Sequence, residues 1–157
     1  VPGRNELVKN KLGLTIMIDY AHSPESLENI LKSTKSYTLG NVILVFGCGG
    51  NRDSGKRPVM GKIAGNIADF TIITSDNPRF EEPNEIIKQI EEGIKQTNGK
   101  YICIENRIEA IKRAMKMANK RDIIILAGKG HEPYQEIKGE KFDFDERKIV
   151  QKIAEEM

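Results

Sequence analysis

Five short apolar runs, separated by stretches with helical spacing, constrain what this chain can fold into more than any other feature of its sequence. Each run is rich in β-branched or aliphatic residues, which is typical of buried strands. They occupy residues 15–18, 42–46, 70–74, 101–104 and 123–127. Strands that alternate with helices in this way predict a parallel sheet with helices on both faces.

Proline and capping residues indicate where the intervening helices begin. Helices are predicted after Pro24, Pro58 and Pro83, because proline is favoured in the first helical turn. Two more are predicted after Asn106 and over residues 145–156. The inward stripe of the helix after Asn106 is predicted to contain Ile108, Ile111, Met115 and Ala118.

A hairpin is predicted over residues 134–142, because Lys138-Gly139 at their centre is typical of a turn. At 157 residues the whole chain, 1–157, suits a single domain. The predicted fold class is therefore α/β: a Rossmann-like, doubly wound and mostly parallel sheet of about six strands, with an edge hairpin.

Composition argues against several classes of partner. The 25 basic and 23 acidic residues give a net charge of +2, and tryptophan is absent, so nucleic-acid binding is not expected. No apolar run approaches the roughly 20 residues that span a bilayer, so no membrane insertion is expected. The two cysteines have neither CxxC nor zinc-type spacing, so we predict no metal site and a reduced, cytoplasmic compartment.

The most informative loop, residues 75–79, follows the third apolar run and reads Ser-Asp-Asn-Pro-Arg. In open α/β sheets, ligands bind at the loops that follow the carboxyl ends of strands. Arg79 offers a planar fork suited to a carboxylate or phosphate, while Asp76 and Asn77 add an acceptor and an amide. We predict that this loop binds a small, charged, polar molecule.

A glycine-rich loop, residues 47–58, follows the second run and precedes a predicted helix. Such a loop can present backbone amides to an anion, here together with Arg52. Gly50 to Lys56 fit the G-x-x-x-x-G-K part of a phosphate loop, but Arg57 stands where Ser or Thr must bind magnesium. An anion-binding loop is therefore favoured over a true phosphate loop or a purely structural turn.

Two further loops follow the first and fifth runs. Asp19 either accepts from a ribose hydroxyl or caps the turn that follows it, and His22 alone is uninformative. Gly128 permits close approach to the backbone and Glu132 can pair with an ammonium group, unless this segment is only a flexible turn. Because these loops share one rim of the sheet, both arginines and Glu132 predict a site for a zwitterion, such as an amino acid.

Six stretches, in order along nearly the whole chain, carry a family resemblance. They are residues 1–4 (VPGR), 19–22 (DYAH), 46–58, 75–79, 127–135 and 144–147 (FDER). Together they resemble the C-terminal domain of the Mur ligases, and most closely the MurE family. The resemblance implies a ligase, dependent on ATP and Mg²⁺, that adds meso-diaminopimelate to UDP-N-acetylmuramoyl-L-alanyl-D-glutamate in cytoplasmic peptidoglycan precursor synthesis. The substrate's glutamate would become an acyl phosphate, which the amine of the incoming amino acid attacks.

The resemblance also implies which residues bind the amino acid. Arg52 and Arg79 would hold the distal carboxylate of diaminopimelate. The Gly128 carbonyl and Glu132 would take its distal ammonium. The rest of the recognition motif would line the same pocket, namely Asp76, Asn77 and Pro78.

Three residues match the nucleotide site of the family. Arg4 and Asp19 would contact the phosphates and the ribose of ATP, and His22 would lie near the nucleotide. No residue of this domain is implied to be catalytic. The family's central ATPase domain and N-terminal UDP-binding domain are expected partners outside these residues, so we expect this fragment not to catalyse alone.

Several alternatives stay open. The acceptor could instead be L-lysine or another diamino acid, although lysine lacks the distal carboxylate and would leave Arg79 unpaired in the site. Cyanophycin synthetase has a similar C-terminal part, but the diaminopimelate motif argues against it. A stand-alone module that binds amino acids or nucleotides and a P-loop NTPase are alternatives from other classes.

Overall fold

The computed structural model describes residues 3–157 and confirms the predicted fold class. Six strands form one sheet in the order β1-β2-β6-β3-β4-β5, in which β1 runs antiparallel to β2 and the other neighbours are parallel. The strands of this sheet are β1 (Glu6–Leu7), β2 (Thr15–Asp19), β3 (Val42–Phe46), β4 (Phe70–Ile73), β5 (Tyr101–Cys103) and β6 (Ile123–Ala127). The two-residue β1 is too short to be recognised from its sequence pattern.

Five helices connect and follow the strands. They are α1 (Pro24–Tyr37), α2 (Lys56–Ile67), α3 (Pro83–Ile94), α4 (Arg107–Met117) and α5 (Glu146–Glu156). Ser23 and Asn106 cap α1 and α4 by accepting hydrogen bonds from backbone amides of the first turn. Helix α2 begins at Lys56, two residues before Pro58. Pro58 therefore lies in the first turn of the helix, where proline is tolerated because no amide donor is needed there.

Two apolar cores lie on opposite faces of the sheet, one beneath α1, α2 and α3 and the other beneath α4 and α5. Every residue of β3 and β6 is buried, as expected for central strands covered on both faces. In α4, Ile111 and Met115 are buried as predicted, whereas Ile108 is 36% exposed at the margin of the buried face. Ala110 and Ala114 complete that face instead.

The predicted hairpin is present as β7 (Tyr134–Ile137) and β8 (Glu140–Asp143), which form a separate two-stranded sheet. Main-chain hydrogen bonds attach it to the loop after β4: Arg79 N donates to Glu136 O, and Lys138 N donates to Arg79 O. The hairpin therefore lies over the carboxyl ends of the main strands. None of the helices within residues 3–157 is long and apolar enough to cross a lipid bilayer.

Candidate functional site

A cavity of about 460 Å³ opens at the carboxyl ends of β2, β3, β4 and β6. Seven of the predicted site residues line it, namely His22, Arg52, Asp76, Asn77, Arg79, Gly128 and Glu132. Pro78 is buried and does not line the cavity, and neither do Arg4 and Asp19. The structure thus brings together the loops that were predicted to share one rim.

Glycines allow two of these loops to pack directly on each other. A Cβ atom built on Gly50 would overlap the carbonyl of Pro78, and one on Gly47 would overlap the carbonyl of Thr74. Gly50 N also donates to Asn77 O at 2.8 Å. Any side chain at these two glycines would push the loops apart.

Arg79 is held more firmly than its sequence context indicates. It adopts a φ of +53°, which is unusual for a residue with a side chain. Its Nε donates to Glu136 Oε1 at 3.0 Å and its Nη1 to Gly50 O at 2.9 Å. The expectation that Arg79 would be unpaired beside lysine is therefore wrong, because Glu136 already pairs with it.

Arg52 is exposed, and its one hydrogen bond within residues 3–157 is from Nη1 to Asn51 O at 3.0 Å. The amides at the centre of its loop are already used, since Gly50 N donates to Asn77 O and Asn51 N to Glu81. The Arg52 side chain therefore remains available to an anion, whereas the Gly50 and Asn51 amides do not. Lys56 Nζ donates to His22 O, which weighs against a phosphate loop.

A buried lysine, which the sequence reasoning missed, supports the floor of the cavity. Lys129 is 0% exposed, and its Nζ donates to Asn77 Oδ1 at 2.7 Å and to Tyr134 O at 2.9 Å. Asp76 Oδ1 lies 3.2 Å from the same nitrogen, although outside hydrogen-bond geometry. Burial lowers the pKa of Lys129, and the Asp76 carboxylate opposes that shift. Asn77 Oδ1 also accepts from Glu136 N, so the Asn77 side chain organises the loop.

Glu132 provides the anionic wall of the cavity. It is half-buried, and Asn77 Nδ2 approaches its carboxylate only to 3.5 Å. Tyr20, a second lining residue that was missed, lies beside it: burial, followed by the charge of Glu132, raises the pKa of Tyr20. Glu132 makes no ion pair within residues 3–157, so its carboxylate can pair with a cation in the cavity.

A fully buried ion pair connects the end of β4 with the end of β6. Arg107 donates from Nε to Glu146 Oε2 at 2.8 Å, and both side chains are 0% exposed. Its two other nitrogens donate to Ser75 O and Ala127 O, each at 3.0 Å. Burial alone lowers the pKa of Arg107, but the Glu146 and Asp76 carboxylates outweigh it and raise that pKa, so Arg107 is charged.

Of the three residues predicted to bind a nucleotide, only His22 lines the cavity. Asp19 Oδ1 accepts from Ala21 N at 2.9 Å and Oδ2 from Asn5 N at 2.8 Å, so Asp19 caps the turn. Arg4 is exposed. His22 Nδ1 lies 2.8 Å from Tyr20 O and donates to it, because a carbonyl only accepts. Within residues 3–157, no three His, Cys, Asp or Glu side chains are grouped as metal ligands would be.

Known proteins resemble this chain in sequence and in structure. A family model described as "Mur ligase, glutamate ligase domain" matches residues 3–130. The UDP-N-acetylmuramoyl-L-alanyl-D-glutamate–2,6-diaminopimelate ligase of Caldanaerobacter subterraneus subsp. tengcongensis is 56% identical over 99% of this chain and 32% of that protein. The ligase of the same name from Clostridium botulinum is 50% identical over 100% of this chain and 32% of that protein.

A solved structure of a UDP-N-acetylmuramoyl-L-alanyl-D-glutamate–2,6-diaminopimelate ligase superimposes with a TM-score of 0.91 at 40% identity. It covers 99% of this chain and 32% of the solved chain. Escherichia coli FolC in complex with ADP shares the fold at 18% identity and a TM-score of 0.60, over 82% of this chain and 28% of that one. The chain spans about a third of the length of the ligases it matches. This chain belongs to the glutamate ligase domain family of the Mur ligases.

Proposed function

We propose that this chain is the acceptor-binding domain of a cytoplasmic ligase that adds meso-diaminopimelate to UDP-N-acetylmuramoyl-L-alanyl-D-glutamate. The observation that carries the proposal is the charge arrangement of the cavity, where Arg52, Arg79 and Glu132 converge from three loops. An amino acid end, with one carboxylate and one ammonium, complements that arrangement. The names of the relatives that match nearly the whole chain support the same substrate.

Each end of the zwitterion has a proposed partner. Arg52 has no acidic partner within residues 3–157, and together with Arg79 it would bind the distal carboxylate. Glu132 and the Gly128 carbonyl would bind the distal ammonium, with Asp76 behind them. Buried Pro78 would act by fixing the loop on which Arg79 stands.

The nucleotide site is proposed at the neighbouring end of β2. When bound with Mg²⁺, ATP supplies the phosphoryl group that activates the glutamate carboxylate. Arg4 is free to reach phosphate, and each Asp19 oxygen keeps a lone pair for a ribose hydroxyl, with His22 nearby. The residues of this chain would orient the acceptor amine toward the activated carboxylate. Central ATPase and N-terminal UDP-binding domains would complete the enzyme.

The test compares acceptors in the full-length ligase. We expect the wild type to use meso-diaminopimelate with a kcat/KM at least about 100-fold above that for L-lysine, because a site built around a polar group rejects an analogue that lacks it. Arg79→Ala should lower kcat/KM for meso-diaminopimelate about 10- to 100-fold, the value of one charge-assisted hydrogen bond. Arg113→Ala, an exposed arginine on α4, is the matched control. Equal use of both amino acids by the wild type would refute the proposal.

L-Lysine is the second candidate acceptor, and one observation supports it. Arg79 already has Glu136 and Gly50 O as partners, so a ligand without a distal carboxylate does not leave this arginine wholly unpaired. The rejection of lysine would then rest mainly on Arg52. The same comparison of acceptors decides between the two candidates.

A further inference from the structure

The two arginines of the cavity differ in how much of their guanidinium group is free. Arg52 is exposed and makes no ion pair within residues 3–157. Arg79 is 18% exposed, and both its Nε and its Nη1 already have acceptors. Of the three guanidinium nitrogens of Arg79, only Nη2 has no hydrogen-bond partner within residues 3–157. A substrate carboxylate would therefore receive one contact from Arg79 and need its other contact from Arg52.

We propose that Glu136 is a positioning residue for the acceptor, because it holds Arg79 by the Nε edge and so leaves Nη2 to meet the substrate carboxylate. This inference rests on the proposed function and deepens it. Glu136 lies in β7, outside the loop motif that suggested the site. It does not line the cavity, so it acts through Arg79.

Glu136 is itself fixed to the loop whose arginine it holds. Its backbone N donates to Asn77 Oδ1 at 2.9 Å, and its backbone O accepts from Arg79 N at 2.9 Å. These bonds keep the Glu136 side chain beside Arg79, where the ion pair is 3.0 Å long. Both side chains are largely shielded, at 18% and 26% exposure, so the pair is less screened than one on the surface.

Two substitutions separate positioning from charge. Glu136→Ala removes the acceptor of Arg79 Nε and frees a long side chain to adopt other rotamers. Glu136→Gln keeps an oxygen at the same distance along the side chain and removes only the charge. The main-chain bonds between β7 and the loop remain in both variants. Glu140→Ala is the matched control, since Glu140 is exposed in β8 of the same hairpin and makes no ion pair within residues 3–157.

The measurements are the KM and kcat of the full-length ligase for meso-diaminopimelate, and the inhibition constant of L-lysine. Glu136→Ala should raise the KM for meso-diaminopimelate about tenfold, as expected for one weakened charge-assisted hydrogen bond, with kcat nearly unchanged. The inhibition constant of L-lysine should change less than about threefold, because lysine lacks the carboxylate that Arg79 meets. Glu136→Gln should restore the KM to within about threefold of wild type.

Three results would overturn the inference while leaving the proposed function intact. The first is a KM for meso-diaminopimelate that is equal in Glu136→Ala and Glu140→Ala. The second is a rise in that KM for Glu136→Ala that is matched by an equal rise in the inhibition constant of L-lysine. The third is a Glu136→Gln variant whose KM is raised as much as that of Glu136→Ala. A wild type that ligates L-lysine and not meso-diaminopimelate overturns the proposed function and this inference together.

Discussion

Replacing Glu146 with alanine will leave the Arg107 guanidinium charged and unpaired in the protein interior. Both side chains are 0% exposed, and the bond that joins them is 2.8 Å long. Removal of one partner of a buried pair costs about 3–5 kcal/mol, since the remaining charge keeps its desolvation penalty and loses its compensation. We therefore expect Glu146→Ala to lower the free energy of unfolding by about 4 kcal/mol, a large part of the 5–15 kcal/mol that is typical of a domain.

The double substitution Arg107→Met with Glu146→Leu should be less harmful than Glu146→Ala alone. It leaves no charge in the interior, and buried ion pairs are often replaced by apolar residues at little cost. Ser75 O and Ala127 O lose the hydrogen bonds that Arg107 donates. We assign a loss of about 2 kcal/mol to these two carbonyls.

Urea unfolding of the 157-residue chain, followed by far-UV circular dichroism, measures both effects. Glu155→Ala, an exposed position on the same helix α5, should stay within about 0.5 kcal/mol of wild type. A Glu146→Ala variant that loses less than about 1 kcal/mol, or a double variant that is less stable than this single one, would refute the reasoning.

Two further predictions concern the Glu6 carboxylate and the glycine loop. Hydrogen bonds from Arg147, then from the Gly3 amide, lower the pKa of Glu6 from 4.5 to about 2, so its contribution to stability is present above pH 4.5 and is lost as the pH falls toward 2. Glu6→Gln should therefore lower the free energy of unfolding at pH 7 by about 1 kcal/mol, measured by urea unfolding, and the variant should converge with wild type toward pH 2. A loss of stability that is equal at both pH values would contradict this. Gly50→Ala should raise the KM for meso-diaminopimelate in the full-length ligase about tenfold, because the new Cβ atom overlaps Pro78 O. Gly55→Ala is the control and should leave this KM unchanged, because Gly55 has a φ of −62° that alanine readily adopts. Equal KM values for the two variants would contradict the close packing of the loops.

Local sequence patterns were sufficient to predict the architecture. Pro24, Pro83 and Asn106 each marked the start of a helix, because capping and the first-turn preference of proline act over a few residues. The gathering of the loops at one rim followed from the parallel sheet, in which the carboxyl ends of the strands share an edge. These inferences needed no knowledge of distant contacts.

The long-range side-chain contacts around the site could not be predicted, because their partners are far apart along the chain. Arg107 and Glu146 are separated by 39 residues, Lys129 and Asn77 by 52, and Arg79 and Glu136 by 57. No local pattern distinguishes a buried lysine or arginine from the exposed ones that make up most of their kind. The expectation of an unpaired Arg79 was wrong for this reason, since its partner lies on the hairpin.

The strand order has a consequence for how the chain folds as it is synthesised. Strand β6 lies between β2 and β3, although it is the last strand of the main sheet along the chain. A nascent chain that has not yet reached residues 123–127 lacks the strand that joins β2 to the rest of the sheet, and it leaves two strand edges unpaired. Unpaired strand edges of this kind promote aggregation. Acquisition of the native sheet is therefore a late event, which requires most of the chain to have left the ribosome.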